Sequence, residues 1–145
     1  MQKKQQVVSN SQNIMATILK SIPKEANVTR IDYEGPRIAL YTKTPKFLLE
    51  NTTLIASLVN EIKKRIVVRT DESIRKNVED AKKILGENVP KDASLQGVFF
   101  DTTTGEVSIE VKRPWLCQRN VEEFNHAEMA EKTGWKIRVR KSTTK

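Results

Sequence analysis

The chain has 145 residues, 37% apolar and 30% charged, the balance of a folded globular protein rather than a disordered tail. No run of about 18 apolar residues occurs, which excludes a membrane-spanning helix, and the polar start Met1-Gln2-Lys3-Lys4 lacks the apolar stretch of a secretory signal. Lys and Arg number 26 against 18 Asp and Glu, and the resulting charge of +8 favours a polyanionic partner.

Residues 1–12 are polar and read as a flexible N-terminus. Ile14, Met15, Ile18, Leu19 and Ile22 recur at helical spacing, with Ser11 or Asn13 as a cap and Pro23 as the stop. Val28 to Tyr33 and Arg37 to Thr42 read as a hairpin turning at Glu34-Gly35-Pro36. Pro45 closes that strand, and Phe47, Leu48 and Leu49 form a short apolar turn. A break over Glu50 to Thr53 precedes a helix carrying Leu54, Ile55, Leu58, Val59 and Ile62. Lys63, Lys64 and Arg65 fall in its expected last turn, where basic side chains complement the helix dipole. Ile66-Val67-Val68 reads as a compact buried strand.

Asp71 or Ser73 is a candidate cap for a helix with Ile74, Val78, Ala81, Ile84 and Leu85 on one face, weakened at Gly86 and ended by Pro90. Leu95 to Phe100 and Glu106 to Lys112 form a second hairpin. Trp115-Leu116-Cys117 is an apolar turn and Gln118-Arg119-Asn120 a polar break. Val121, Phe124, Ala127, Met129 and Ala130 suggest the next helix, and Trp135 to Arg140 the last strand.

The halves repeat. Ile22-Pro23-Lys24-Glu25-Ala26 parallels Val89-Pro90-Lys91-Asp92-Ala93, and Lys43-Thr44-Pro45 parallels Lys112-Arg113-Pro114. Arg65 to Arg69 parallels Lys136 to Arg140, and four of the five prolines fall at equivalent positions. The pattern predicts an α+β chain of two tandem units, each a three-stranded sheet with helices on one face. The expected boundaries are 13–70 and 71–141, followed by a tail or linker at 142–145.

Helix, strand, strand, short helix, break, helix, strand resembles the type II KH fold, an RNA-binding module. Ile66-Val67-Val68-Arg69-Thr70-Asp71, Phe100-Asp101 with Thr104-Gly105-Glu106-Val107, and Thr133-Gly134-Trp135 carry a closer likeness. With these, the chain from about Ile14 to Ser142 resembles the paired N-terminal KH domains of archaeal β-CASP ribonucleases. Those enzymes belong to the metallo-β-lactamase superfamily and are related to the cleavage and polyadenylation specificity factor.

The resemblance implies an RNA-recognition region acting in 3′-end processing, transcription termination or decay. Single-stranded RNA, a nuclease core in the same or a separate chain, and the transcription machinery are the implied partners. The resemblance places zinc in that core. No cofactor is expected in this chain, where His126 is the only histidine and no carboxylates surround it at ligand spacing. The chain alone is therefore not expected to be an enzyme.

The KH loop between the helices carries a GXXG sequence. Gln118-Arg119-Asn120-Val121 and Asn51-Thr52-Thr53-Leu54 stand there without glycine. Side chains rather than backbone amides are then the expected phosphate contacts. The candidate RNA residues are Lys112, Arg113, Gln118, Arg119, Asn120, Arg138 and Arg140. Trp115 and Trp135 are expected in the core, with base stacking as the alternative for Trp115. Neither His126 nor Cys117 is assigned a catalytic role. The lone cysteine allows no intrachain disulfide and points to the cytoplasm. The competing reading is a protein-interaction or scaffolding module with little RNA affinity.

Overall fold

Strand alternation and helical periodicity sort the chain into two sheets with helices on the inner face. The structure is a computed structural model describing residues 10–118 and 124–143, in which five α-helices and two three-stranded sheets occur. The first half comprises α1 (Asn10–Ser21), β1 (Val28–Glu34), β2 (Arg37–Thr42), α2 (Pro45–Glu50), α3 (Thr52–Ile62) and β3 (Arg65–Thr70). The second comprises α4 (Val78–Asn88), β4 (Leu95–Asp101), β5 (Glu106–Val111), α5 (His126–Thr133) and β6 (Lys136–Lys141). In each sheet the middle strand pairs antiparallel with its hairpin partner and parallel with the strand that returns after the helices.

The repeat extends to backbone detail. Pro23 and Pro90 each introduce a 3-10 turn, Lys24–Ala26 and Lys91–Ala93, ended by a left-handed residue, Asn27 or Ser94. The carbonyls of Asn27 and Ser94 accept the N–H groups of Lys43 and Lys112, at 3.1 and 3.2 Å. Ala26 and Ala93 are wholly buried beneath these turns.

Ile38 and Leu40 of β2 point inward onto Ile14, Ile18, Leu48 and Ile62. Val107, Ile109 and Val111 of β5 do the same onto Ala81, Leu85 and Met129. Each such aliphatic side chain contributes about 1.5–3 kcal/mol on burial.

Several expectations are corrected. α1 already includes Ser11 and Asn13, so neither is its cap. Lys63, Lys64 and Arg65 lie beyond α3, which ends at Ile62 because Lys63 turns left-handed at φ 59°. Ile74 is outside α4: Asp71 caps only the 3-10 turn Glu72–Ile74, and Asn77 Oδ1 accepts the Asp80 N–H at 2.8 Å to start the helix afresh. As expected, α4 runs through Gly86 and ends at Asn88, ahead of Pro90. α5 begins at His126, capped by Asn125, leaving Phe124 buried ahead of it, while Val121 lies outside the described residues. Trp135 is buried in the core, but Trp115 is 55% exposed and is not a core-edge residue.

The halves meet through polar locks. The Arg69 guanidinium, 2% exposed, donates to both carboxylate oxygens of Glu34 at 2.6 and 3.0 Å and lies 3.5 Å from Glu106 of the other sheet. The hydrogen bond from Arg69 holds the Glu34 carboxyl below the ordinary carboxylate range. Arg75 donates to the carbonyls of Thr70 and Thr102 at 2.7 and 2.8 Å. Within the second half, Trp135 Nε1 donates to the Lys76 carbonyl at 2.9 Å. Asp71 accepts from the hydroxyls of Thr29 and Ser73, which lowers its carboxyl from an ordinary 3.8 to about 2.

Gly134 ends α5 at φ +75°, and a Cβ there would meet the Ile74 carbonyl oxygen at 2.0 Å. Gly134→Ala is expected to lower stability by at least ~2 kcal/mol. Gly86→Ala, with nothing within 4 Å of the new methyl, should raise it by about 0.5–1 kcal/mol. Urea denaturation of both variants checks this, and equal midpoints would contradict the close packing at Gly134.

Asp71 predicts an acid limb. A carboxyl lowered in the folded state stabilises fully above its unfolded pKa, and that stability is lost as pH falls from about 4 through about 2. Asp71→Asn should therefore lose less stability than the parent across that window, measured by denaturant titration at stepped pH. Parallel curves would refute the assignment.

Candidate nucleic-acid interface

The first half builds a groove from a helix, a break, a second helix and a sheet edge. Pro45 opens α2, where its missing N–H is no loss. Asn51 then interrupts the helix at φ −100°, ψ 61°, its side chain donating to the Phe47 carbonyl at 2.6 Å. The Asn51 carbonyl accepts the Ile55 N–H at 3.2 Å, so α3 departs in a new direction immediately. α3 has no side-chain cap, and Thr52 and Thr53 are exposed.

Between this corner and β3, an edge strand, lies a groove of about 300 Å³. Leu49, Ile55 and Ala56 form its helical wall, Ile66 and Val68 its strand side, and Lys136 of the second half stands at its margin. A neighbouring cleft of about 190 Å³ shares Leu49, Thr52 and Lys136 and reaches Asn125 and His126. An aliphatic wall can take the flat face of a base, and an edge strand offers backbone groups to its polar rim. Uncapped first-turn amides supply positive potential for phosphate.

The corresponding corner of the second half is built differently. Pro114–Cys117 is only a 3-10 turn, and the Asn125 side chain accepts the Glu128 N–H at 3.0 Å, capping α5. His126 Nε2 lies 2.6 Å from the Cys117 carbonyl oxygen. Burial pushes the Cys117 thiol up, away from a reactive thiolate. α5 also packs on α2, where Lys46 donates its N–H to Glu131 at 3.0 Å and sets its ammonium 3.8 Å from Glu128.

Of the seven predicted residues, five are described, and they lie away from the groove. Lys112 and Arg113 are exposed at the end of β5, but the Arg113 guanidinium donates to the Asp92 carbonyl at 2.8 Å, tying it to the Lys91–Ala93 turn. Gln118 is exposed, while Arg119 and Asn120 lie outside the described residues. Arg138 and Arg140 stand on the outer face of β6, away from the helices, with Arg140 3.8 Å from Glu110. Sequence reasoning missed the groove and Lys136. Leu49, Ile55 and Ile66 read as ordinary core positions, and only the parallel return of β3 turns them into a wall. Among the described residues, no group of three or more His, Cys, Asp or Glu could hold a metal ion. No helix there is long and apolar enough to cross a membrane.

A mixed sheet backed by helices, with a groove between a helix–break–helix corner and an edge strand, defines a KH-like α+β architecture. Residues 8–75 match the family described as the KH domain of transcription termination factor FttA. Along nearly all its length the chain is similar to transcription termination factor FttA of Cenarchaeum symbiosum, 64% identical over 146 residues covering 99% of this chain. The same-named proteins of Methanothermobacter thermautotrophicus and Pyrococcus horikoshii are 33% and 40% identical over 88% and 72% of the chain. The chain spans 23%, 20% and 16% of the length of these three relatives.

Proposed function

We propose that the chain is the RNA-binding N-terminal region of an archaeal termination factor, and that it guides single-stranded RNA to a catalytic core outside these residues. That core is read as a zinc-dependent β-CASP ribonuclease of the metallo-β-lactamase superfamily, acting on transcript 3′ ends in the cytoplasm and near the transcription machinery. The observation that carries the reading is the groove between the α2–α3 corner and the edge of β3. It joins an aliphatic wall and an uncapped helix start, both within the stretch that matches the KH family, to Lys136 of the second half. Binding is mainly electrostatic and weakly sequence-selective, because Asn51, Thr52, Thr53 and Leu54 offer no glycine at which phosphate could approach the backbone closely.

A second reading is a scaffold that holds the core or another subunit, with incidental RNA affinity. The Asn125 cap on α5 favours it, since it occupies a first-turn amide that an RNA phosphate would need.

Fluorescence anisotropy with labelled single-stranded RNA across a salt series separates the two. Ala56→Glu puts a negative charge at an exposed groove position. It should weaken binding about fivefold or more, the effect of about 1 kcal/mol of like-charge repulsion. Lys136→Gln should reduce the log–log salt slope by about 0.7. Lys112→Ala/Arg113→Ala and Arg119→Ala report whether the second corner also contributes. Unchanged affinity and slope in both groove variants would reject the groove and leave the scaffold reading.

A further inference from the structure

We propose that the outer face of the second sheet is a separate stacking surface for single-stranded RNA, built from Phe99, Ser108 and Arg138 and flanked by Arg140. This extends the RNA-binding reading to a surface the groove does not use. Phe99 pairs with Ser108, and Ser108 with Arg138, so the three form one row across β4, β5 and β6. Their neighbours Val98, Ile109, Val107 and Ile137 belong to the core side, so alternation points the row away from the helices. Phe99 is 54% exposed, although its chain neighbour Phe100 packs edge-on against Trp135 at 4.9 Å.

The ring lies over Gly97, where a Cβ would stand only 3.1 Å from Phe99 Cε2. Shielding a glycine in an edge strand accounts for that lean. It does not account for the half of the residue left in water. Ser108 is small and leaves the space between ring and guanidinium open. Strands about 4.8 Å apart place Phe99 and Arg138 roughly 10 Å from each other, enough for a base on the ring and its phosphate on the cation.

The duplication supplies an internal control. The equivalent row of the first sheet is Asp32–Ala39–Val67, with neither an aromatic nor a cation. Arg69, one register further along β3, turns across that sheet to Glu34. In the second sheet Glu110 is the acid beside Arg140, and Arg138 is exposed on the same strand face. Lys141, Lys112 and Arg113 add positive charge at the strand ends, where the Val111 carbonyl accepts the Ser142 N–H at 2.8 Å. An aromatic platform with a basic border is the general solution for unstacked bases on a polyanionic backbone.

Anisotropy with single-stranded and duplex RNA of equal length tests this on Phe99→Ala, Arg138→Gln and Ala56→Glu. Thermal melting confirms that each variant folds. Phe99→Ala should weaken single-stranded binding about fivefold to a hundredfold and leave duplex binding unchanged, since stacking needs unpaired bases. In a Trp115→Phe background, Phe99→Trp should have its indole fluorescence quenched by oligouridylate. If Phe99→Ala and Arg138→Gln bind like the parent while Ala56→Glu fails, this surface is overturned and the groove stands. If Phe99→Ala fails and Ala56→Glu binds normally, the groove is overturned instead. A parent chain that binds no single-stranded RNA would overturn both.

Discussion

The Arg69 guanidinium, buried between Glu34 and Glu106, is the constraint on which the arrangement of the two sheets depends. A buried cation is tolerated only when carboxylates and hydrogen bonds replace the water it gives up. Glu34 does this bidentately within the first sheet, and Glu106 adds a longer contact from the second. Moving one sheet against the other would leave Arg69 short of a partner, at a penalty a hydrophobic contact would not impose. Arg75 repeats the logic in neutral form, spending its donors on the Thr70 and Thr102 carbonyls. This fixed relation has a consequence at the groove. Its walls come mainly from the first half, but Lys136 of the second half also lines it.

The absence of glycine at the α2–α3 corner has a backbone explanation. Asn51 breaks the helix at a negative φ, a conformation open to any residue, and its side chain satisfies the Phe47 carbonyl that the break exposes. No left-handed position is required, so the fold does not demand glycine there. What glycine would add is close approach by a phosphate, which is a property of binding rather than of folding. Departure from the GXXG pattern therefore bears on how closely a phosphate can approach and not on whether the corner forms.

Much of the architecture was legible because it rests on local rules. Alternation in Glu106–Val111 and the matched prolines at 23, 45, 90 and 114 specify strands and turns without tertiary help. Ile74 misled because it shares the helical stripe of Val78, Ala81 and Leu85. Asn77 caps a new helix after it, and Gly134 claims the Ile74 carbonyl region. Trp115 misled because an apolar residue after a strand-ending Pro usually turns inward, whereas here the buried place in the turn is taken by Cys117. The groove was illegible for a different reason. It is assembled from α2, α3, β3 and β6, elements up to ninety residues apart, and no local pattern marks such a juxtaposition.

The two copies share a backbone and differ in what they leave open. In the first, α2 and α3 meet at an uncapped corner beside an aliphatic groove, while Arg69 crosses the outer sheet face. In the second, a 3-10 turn stands where the first has α2, and a side chain caps α5, while the outer face carries Phe99 and Arg138. A duplicated fold has no physical need to keep both surfaces in both copies, because core packing constrains only the inward positions. Asp32 and Phe99, or Val67 and Arg138, occupy equivalent outward positions, yet Ala39 and Arg69 on the first sheet's outward face are buried while Phe99 and Arg138 are exposed. Under the proposed RNA-binding reading, such divergence puts one strand of RNA on unlike surfaces, which restricts how it lies more than two identical weak sites would.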